Sequence, residues 1–227
     1  MSASKPNGSL SRPSRVLIVD DHAVVRQGLK QLIGSESDLA VCGEAETARE
    51  ALEQIEALKP DMAVIDLSLK DSNGLELIKD IRVRFPDLPT LVLSMHDEGF
   101  YGERVLRAGG RGYVMKEEAA DKVLAAIRCV LSGEIYLSSR LASKMLSSLA
   151  GGHGELSESP VHALSDRELE VFELIGHGLG TRQIAEKLHL SVKTIESHRE
   201  NVKKKLSLAD ATELVRQAVR WVEYGQV

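Results

Sequence analysis

Short apolar runs alternate with amphipathic stretches through the first half of the chain. Five runs have the length and composition of buried strands, at residues 16–19, 39–42, 62–65, 90–93 and 112–115. Apolar residues recur at helical spacing in five further segments, at 24–33, 48–55, 75–81, 105–108 and 123–131. This alternation predicts an α/β fold with a doubly wound, five-stranded parallel sheet.

The second half of the chain carries helical patterns only. Ser165 and Glu168 have the spacing of a capping box directly before an apolar run, which predicts a helix that continues to Ile175. Two further helical patterns, at 181–188 and 191–206, are separated by a very short turn. Two helices joined in this way predict a helix-turn-helix within a small all-α domain.

Composition places the boundaries between these parts. Residues 1–14 are rich in Ser, Pro and Gly and are predicted to be a disordered tail. The sheet domain is predicted at 15–132 and the helical domain at 163–227. The segment between them, 133–162, is predicted to be a helical and flexible linker, because a helical pattern is followed by a Gly-rich and Ser-rich stretch that puts the boundary near residue 152.

Polar residues follow or close four of the five apolar runs. Asp20 and Asp21 follow the first, Asp66 the third and Lys116 the fifth, while Ser94 comes directly after the fourth. Carboxyl ends of parallel strands meet at one edge of a sheet, where open α/β sheets bind ligands. We therefore expect these five side chains to form a phosphate and metal pocket.

The chemistry of this pocket follows from its charges. Three clustered carboxylates repel one another, so a cation is needed if all are to stay ionised, and Mg²⁺ suits oxygen ligands. Lys116 would face one phosphoryl oxygen, and Ser94 would hydrogen-bond another. Asp66, in the middle of the set, is the candidate nucleophile and would become an acyl phosphate.

These residues, in this order, resemble the receiver domain of bacterial response regulators, which has a flavodoxin-like sheet. The resemblance spans residues 15 to about 132 and adds Tyr113 as an aromatic switch. It implies a set of Mg²⁺ ligands: Asp21, Asp66 and the backbone carbonyl of Ser68, with Asp20 in the outer shell. Inward movement of Ser94 and Lys116 toward a phosphoryl group would let Tyr113 swing into the space vacated.

One loop departs from the receiver pattern. After the predicted phosphoacceptor the sequence reads Leu67-Ser68-Leu69-Lys70, where the family commonly has Met and then Pro at the last two positions. Leu69 keeps an apolar side chain, whereas Lys70 frees a backbone φ that Pro would fix. We expect a less rigid loop with the same chemistry.

The C-terminal segment resembles the LuxR-type DNA-binding domain over residues 163 to about 222. The matching motifs are A-L-S-D-R-E at 163–168, G-L at 178–179, Q-I-A at 183–185, L-S-V-K-T-I at 190–195 and S-H-R at 197–199. Gly180 replaces the usual Ser, Asn or Thr, so the cap of the next helix is expected to pass to Thr181. A receiver followed by this domain is the NarL/FixJ architecture of two-component transcription factors.

Whole-chain charge does not by itself suggest a nucleic-acid partner, since the formal net charge is −5 and the pI about 5.8. The local distribution does. Residues 191–206 contain five basic residues against two acidic ones, a local charge of +3, the basic ones being Lys193, Arg199, Lys203, Lys204 and Lys205. This helix is predicted to attract the phosphates of double-stranded DNA.

The resemblance assigns roles along this helix, with Lys193 and Thr194 touching phosphates. Residues expected on the face that reads base edges are Glu196, Ser197 and Glu200. A Glu can accept from the exocyclic amine of cytosine, but both glutamates can equally pair with neighbouring basic residues as a solvated face. Likewise, contact with phosphate and half-buried packing are both open for His198.

The sequence thus predicts a phosphorylation-controlled transcriptional regulator. A sensor histidine kinase or a small acyl phosphate would phosphorylate Asp66, and this would alter DNA binding and dimerisation. The resemblance also implies a homodimer contact through the last helix. No activity is expected beyond the receiver's own phosphoryl transfer and dephosphorylation.

Two other classes of protein were weighed against this reading. An aspartyl-phosphate phosphatase needs a second acid two residues after the nucleophile, and that position is Ser68. A sensor of small apolar signals needs a large apolar pocket, whereas the acidic pair and Lys116 favour phosphate. Two cysteines without close-spaced partners, no apolar segment of membrane-spanning length and no signal peptide predict a cytoplasmic bacterial protein without membrane contact.

Overall fold

The structure is a computed structural model that describes residues 12–70, 73–150 and 160–224. The chain divides into two compact units, residues 1–141 and 142–227. The first contains a parallel sheet with the strand order β2-β1-β3-β4-β5, and the second is helical. Both predicted classes of domain are confirmed.

The elements of the first unit alternate as the hydrophobic pattern predicts. Its strands are β1 Ser14–Val19, β2 Leu39–Ala45, β3 Met62–Ile65, β4 Thr90–Ser94 and β5 Gly112–Met115. Its helices are α1 Ala23–Gly34, α2 Ala48–Leu58, α3 Gly74–Arg84, α4 Glu98–Ala108 and α5 Ala120–Leu131. The helix α6, Ser139–Ala150, follows and continues into the second unit.

Alternation along β4 shows that both faces of the sheet are covered. Leu91 and Leu93 point into a core cluster that includes Ile33 of α1 and Ile127 of α5. Because successive strand residues point to opposite faces, Val92 points the other way, and it is fully buried as well. Burial on both faces explains why these strands are continuously apolar.

Strand register brings the polar ends of the strands together. Val19 of β1 pairs with Ile65 of β3, so the residues that follow, Asp20 and Asp66, lie on neighbouring strands. Ser94 pairs with Met115, one residue before Lys116. The sheet therefore gathers the predicted pocket at its carboxyl edge.

Two predicted boundaries in the first unit move by a few residues. β1 begins at Ser14, one residue before the predicted domain start, and most of the predicted tail, residues 1–11, lies outside the described residues. β2 extends to Ala45 rather than ending at residue 42, past a shift of its register against β1. The apolar run underestimated this strand because its last residues include Gly43 and Glu44, which face partly solvated surroundings.

The start of the predicted linker is packed rather than flexible. The Tyr136 N–H donates to the Arg111 carbonyl, and the Tyr113 N–H donates to the Tyr136 carbonyl, both at 3.0 Å, so the segment adds a short parallel bridge to β5. Leu141 of α6 is 3% exposed. A Cβ on Gly102 of α4 would overlap its Cδ2 atom. The two units accordingly divide after residue 141 instead of near 152; the Gly-rich stretch at 151–154 lies outside the described residues.

The second unit opens with a 3₁₀ turn, Pro160–Ala163, and four helices. These are α7 Asp166–Gly176, α8 Thr181–Lys187, α9 Val192–Lys205 and α10 Ala211–Tyr224. α7 begins with the predicted capping box between Ser165 and Glu168. Phe172 of α7 packs on Trp221 of α10 with ring centroids 5.5 Å apart, and a Cβ on Gly176 would lie 2.5 Å from the Ala218 carbonyl oxygen.

The helix-turn-helix consists of α8 and α9. The prediction that the cap of α8 passes to Thr181 is wrong, since Gly180 is the N-cap residue. The Gly180 N–H donates to the Gln183 side chain at 2.8 Å, so a side chain from within the helix replaces the missing capping hydroxyl. Among the described parts of the chain, no helix has the length and hydropathy to cross a bilayer.

Candidate functional site

The carboxyl edge of the sheet brings together two aspartates and a lysine. Lys116 Nζ lies 2.7 Å from Asp20 Oδ2 and 2.7 Å from Asp66 Oδ2. The two carboxylates are 3% exposed and the lysine side chain is 8% exposed, so the three charges are held away from water. The predicted lysine and acids are neighbours in the fold, although up to 96 positions separate them along the sequence.

Burial and charge compete at this cluster. Burial raises the pKa of the Asp66 carboxyl above its ordinary value, against the opposing charge of Lys116. Burial lowers the pKa of Lys116, but the carboxylates of Asp66 and Asp20 outweigh that effect and the pKa is raised. Lys116 is therefore a permanent cation at neutral pH, suited to pairing with a phosphoryl oxygen.

The same residues form a plausible cation site. Asp20, Asp21, His22 and Asp66 each offer one ligand atom, and these atoms lie within 4.8 Å of one another. Asp66 Oδ1 is buried and has no hydrogen-bond partner, which is the orphaned acceptor expected where a cation binds. His22 Nδ1 lies 2.7 Å from Asp21 Oδ1 and occupies a position to which sequence reasoning gave no role.

Tyr113 lies inside the fold, contrary to the simple picture in which it swings inward after phosphorylation. Its side chain is 2% exposed, and its hydroxyl donates to the His96 carbonyl at 2.8 Å. His96 also stacks on Tyr101 with ring centroids 4.7 Å apart, and its Nε2 lies 3.1 Å from Ser68 Oγ. His96 thus links the loop after Asp66 to the aromatic switch, which its sequence position alone did not reveal.

Ser94 completes this side of the pocket. It is fully buried, its hydroxyl accepts from the His96 N–H at 3.4 Å, and its carbonyl accepts from the Lys116 N–H at 2.8 Å. The hydroxyl hydrogen is therefore available to a phosphoryl oxygen, and β4 and β5 hold Ser94 and Lys116 in fixed register.

An ion-pair network replaces the proline that Lys70 displaces. Lys70 Nζ lies 2.8 Å from Glu46 Oε2, and Glu46 Oε1 lies 2.6 Å from Arg26 Nη2. Arg26 Nη1 in turn donates to the Asp20 carbonyl at 2.7 Å. The pair with Glu46 raises the pKa of Lys70, and the pair with Lys70 lowers the pKa of Glu46. The loop after Asp66 is thereby tied to the backbone of the acidic pair.

This network leads to a salt-dependence prediction. An exposed pair contributes about 0.2–1 kcal/mol and is screened by salt, whereas a proline restricts the loop at any ionic strength. We expect Lys70→Ala to slow labelling by acetyl phosphate about two-fold at 50 mM NaCl, and Lys70→Pro to restore the rate.

The measurement is the initial labelling rate at ~50 and ~500 mM NaCl, where the Debye length falls well below 10 Å. Wild type should lose the advantage over Lys70→Ala at high salt, while Lys70→Pro keeps it. Lys79→Ala, which removes a similar surface pair with Glu76, is the matched control. Equal salt sensitivity of the wild-type and Lys70→Pro rates would refute a role for the ion pair.

The second candidate surface is the exposed face of α9. Lys193, Glu196, Ser197, Glu200 and Lys204 recur at helical spacing and are all exposed. Ile195 and Val202 occupy the opposite face and are fully buried. The sequence-based assignment of this face to solvent is therefore consistent with the packing of the helix.

Local contacts separate the members of this face. Glu200 Oε1 lies 2.7 Å from Lys203 Nζ, a pair that lowers the pKa of Glu200 and favours the solvated-face alternative for that residue. Within the described residues Glu196 makes no ion pair, so its carboxylate is open to a base. Ser197 Oγ donates to the Lys193 carbonyl at 3.0 Å, and Thr194 Oγ1 lies 2.7 Å from Ser191 Oγ at the helix cap.

His198 is partly buried, and desolvation lowers its pKa, so the side chain is neutral at pH 7. A neutral, half-buried imidazole favours the packing role over a charged phosphate contact. The end of the same helix is fixed by Lys205, whose Nζ lies 2.6 Å from Glu168 Oε2 at the start of α7. Sequence reasoning identified Glu168 as a capping residue only; its ion pair depends on tertiary packing.

Comparison with known proteins identifies the family. The response regulator receiver domain model matches residues 16–128, and the model of bacterial regulatory proteins of the luxR family matches 162–218. The oxygen regulatory protein NreC of Staphylococcus carnosus (strain TM300) is 35% identical over 210 residues, which cover 91% of this chain and 97% of the relative. The chain belongs to the response regulators with a LuxR-type DNA-binding domain.

Solved structures of response regulators resemble both units. RcsB from Salmonella enterica serovar Typhimurium, bound to promoter P1flhDC in the presence of the phosphomimetic BeF3⁻, is 29% identical, with a TM-score of 0.60 over 89% of this chain and 96% of that chain. A structure of two RcsB dimers bound to two parallel DNAs is 27% identical, with a TM-score of 0.55 over 90% and 97%. This response regulator is a DNA-binding transcription regulator of a two-component system, not a classical enzyme, and its acidic cluster is of the kind at which receiver domains bind Mg²⁺.

Proposed function

We propose that Asp66 is the phosphoacceptor and that its phosphorylation controls DNA binding by α9. The observation that carries this proposal is the Lys116 ammonium, which lies 2.7 Å from a buried Asp66 oxygen while the other Asp66 oxygen has no partner. A carboxylate so placed has a free oxygen for attack on phosphorus and a cation beside it for the transferred group. No other described residue combines burial, orphaned oxygen and lysine partner in this way.

The donor set also supports the proposed metal site. Mg²⁺ would be held by Asp21, Asp66 and the Ser68 carbonyl, with Asp20 in the outer shell, and when bound it neutralises charge on the phosphoryl oxygens. Asp20 already accepts from Lys116 and from the His22 N–H, which suits an outer position. Mg²⁺ prefers oxygen, so His22 is left as a partner of the two acids.

The protein's own groups then account for the response. An Asp66 oxygen attacks phosphorus, the donor's leaving group departs with the bonding electrons, and an acyl phosphate forms. Lys116 exchanges its contact with Asp66 for a phosphoryl oxygen, and the Ser94 hydroxyl donates to another. Both residues are joined through backbone hydrogen bonds to β4 and β5, and His96 connects this region to Tyr113 and α4.

The biological setting follows the family. We propose a sensor histidine kinase as donor, double-stranded DNA as target, a homodimer after phosphorylation and a bacterial cytoplasmic location. RcsB structures with DNA and with dimers support the DNA and dimer parts of this proposal. The receiver's own catalysis would be limited to phosphoryl transfer and dephosphorylation at Asp66.

A metal-ligand variant tests the proposal as a whole. Asp21→Ala should abolish Mg²⁺-dependent labelling by acetyl phosphate, with at least a ten-fold loss, because it removes a direct ligand. It should stay folded and gain stability in metal-free buffer, since one of three mutually repelling carboxylates is gone.

The measurements are labelling, chemical denaturation and DNA affinity before and after acetyl phosphate. Wild-type DNA affinity should change on treatment, and that of Asp21→Ala should not. Asp80→Ala, at an exposed position of α3, is the control and should behave as wild type. Normal labelling of Asp21→Ala would disprove the metal assignment, and an unchanged wild-type DNA affinity after full labelling would disprove control by phosphorylation.

A further inference from the structure

A cavity lies at the opposite edge of the receiver sheet from the acidic pocket. Its volume is about 290 Å³, and its lining includes Thr90, the first residue of β4, and Leu106 near the end of α4. Ser94 of the acidic pocket is the last residue of the same strand, about 13 Å away at roughly 3.3 Å per residue. The cavity is therefore separate from the phosphorylation site.

A buried hydroxyl without a partner faces this cavity. Thr90 is 2% exposed, and its Oγ1 atom has no hydrogen-bond partner. Leu91 points to the α1 and α5 side of the sheet, so the alternation of side chains along β4 directs Thr90 to the α3 and α4 side, where the cavity lies. An unsatisfied buried hydroxyl costs free energy, so one in a cavity wall indicates a bound polar group.

Two arginines at the rim have no carboxylate partner. Arg82 Nη1 donates to the Arg107 carbonyl and Arg111 Nη1 donates to the Gly133 carbonyl, each at 3.0 Å. Neither guanidinium forms an ion pair with any acid in the described parts of the chain. The two side chains are thus anchored by backbone carbonyls while their charges and remaining N–H groups stay available to an anion.

The remaining walls are apolar. Ile78, Ile81 and Leu88 contribute to the lining, and Ile135 is 58% exposed although it belongs to the segment packed along β5. The volume equals that of about ten waters at ~30 Å³ each, which suits a compact molecule of about ten non-hydrogen atoms. Apolar walls combined with a few convergent polar groups are typical of small-molecule sites.

We propose that this cavity, lined by Thr90, Arg82, Arg111 and apolar residues of α3 and α4, binds a small monocarboxylate with an apolar aromatic or branched body. The carboxylate pairs with the two guanidinium groups, and the Thr90 hydroxyl donates to it or to a polar substituent on the body. Compact inorganic anions fit less well because they leave the apolar walls uncovered.

An occupant would also act on the segment that leaves the receiver. Ile135 directly precedes Tyr136, whose backbone exchanges hydrogen bonds with Arg111 and Tyr113 on either side of Gly112. A ligand that packs on Ile135 and pairs with Arg111 therefore stabilises the contact between this segment and β5. The site is suited to an effector that acts independently of phosphorylation at Asp66.

Benzoate is the probe, because it has an aromatic body and one carboxylate within the size limit. We expect saturable binding to the full chain with a Kd of about 1 mM. In two-dimensional NMR spectra, amide shifts should be concentrated at Thr90, Leu106 and Ile135, and they should persist in Asp66→Asn. Benzamide, the uncharged analogue, and inorganic phosphate, the anion without an apolar body, should each bind at least five-fold more weakly.

Variants of the lining complete the test. Thr90→Val keeps the side-chain shape and removes the hydroxyl, so it should weaken benzoate about five-fold while the unliganded protein remains at least as stable. Arg82→Gln with Arg111→Gln should weaken benzoate at least ten-fold, whereas Arg84→Gln, an exposed arginine of the same helix outside the lining, should not. Equal binding of benzamide, tighter binding of phosphate, equal losses in Arg84→Gln or no localised shifts up to ~20 mM benzoate would each overturn the proposal.

Discussion

Asp66→Asn should take no phosphoryl label from acetyl phosphate in Mg²⁺ buffer, while wild type is labelled at one aspartate. The expected loss is complete, at least a hundred-fold, because the variant lacks the nucleophilic oxygen that forms the acyl phosphate. DNA affinity of the variant should also stay the same before and after treatment. Asp80→Asn, at an exposed aspartate, should label as wild type does.

The same variant has a predicted effect on stability. Burial raises the pKa of Asp66 in the folded chain, so the ionised carboxylate is less favourable there than in the unfolded chain. Asn should therefore raise the free energy of unfolding at pH 7 in metal-free buffer. The gain should disappear as the pH falls below about 4, where the carboxyl is protonated in both states.

Mass spectrometry of labelled peptides and denaturation at several pH values provide the two measurements. Wild-type labelling of Asp66→Asn at another aspartate would show that the nucleophile was assigned wrongly. A lower stability of Asp66→Asn at pH 7 would instead show that the pair with Lys116 outweighs the cost of burying the carboxylate.

Substitutions along α9 should separate phosphate contacts from base reading. Lys193→Ala and Lys204→Ala should weaken binding to all DNA sequences alike and make the slope of log K against log salt less negative by about 0.9 each. Lys203 should have a smaller effect, because its ammonium is paired with Glu200. Lys79→Ala in the receiver is the control for loss of one positive charge.

Glu196→Ala and Ser197→Ala should instead change the preferred base at one position of each half-site, by about 1–3 kcal/mol of discrimination per good contact. Glu200→Ala should change preference least, since Lys203 holds its carboxylate on the helix. Selection from randomised DNA gives the preferences, and titrations at several salt concentrations give the slopes. Unchanged preferences in all three variants would identify this face as merely solvated and place the readers nearer Val192 and Lys193.

The contacts within α9 show why such residues are hard to rank from sequence. Helical spacing put Glu196 and Glu200 on one face and left base contact and intrahelical pairing open for both. The structure distinguishes them, since only Glu200 is paired, because rotamers of Lys203 and Glu200 bring their charges within 2.7 Å. His198 was equally ambiguous until its burial was known, because spacing does not say how deeply a side chain is covered by a neighbouring helix.

Local patterns failed where the chain makes contacts far along the sequence. Composition predicted a flexible segment after residue 132, yet Tyr136 bonds to the edge of β5 and Leu141 is buried beside Gly102 of α4. Lys70 suggested a loosened loop, but Glu46 ties it through Arg26 to the backbone of Asp20. Neither partner could be found by periodicity, because the contacts join separate loops.

By itself, the sequence determined the class of each domain, the positions of the five strands, the helix-turn-helix and the residues at the acidic edge, because hydrophobic period, capping residues and strand-end polar residues are local properties of the chain. Only the tertiary structure decided that Tyr113 is already buried, that His96 joins Ser68 to the switch, and that Thr90, Arg82 and Arg111 meet around a cavity. These features depend on which elements pack together and on side-chain conformations within that packing, and both are set by long-range burial that no local pattern encodes.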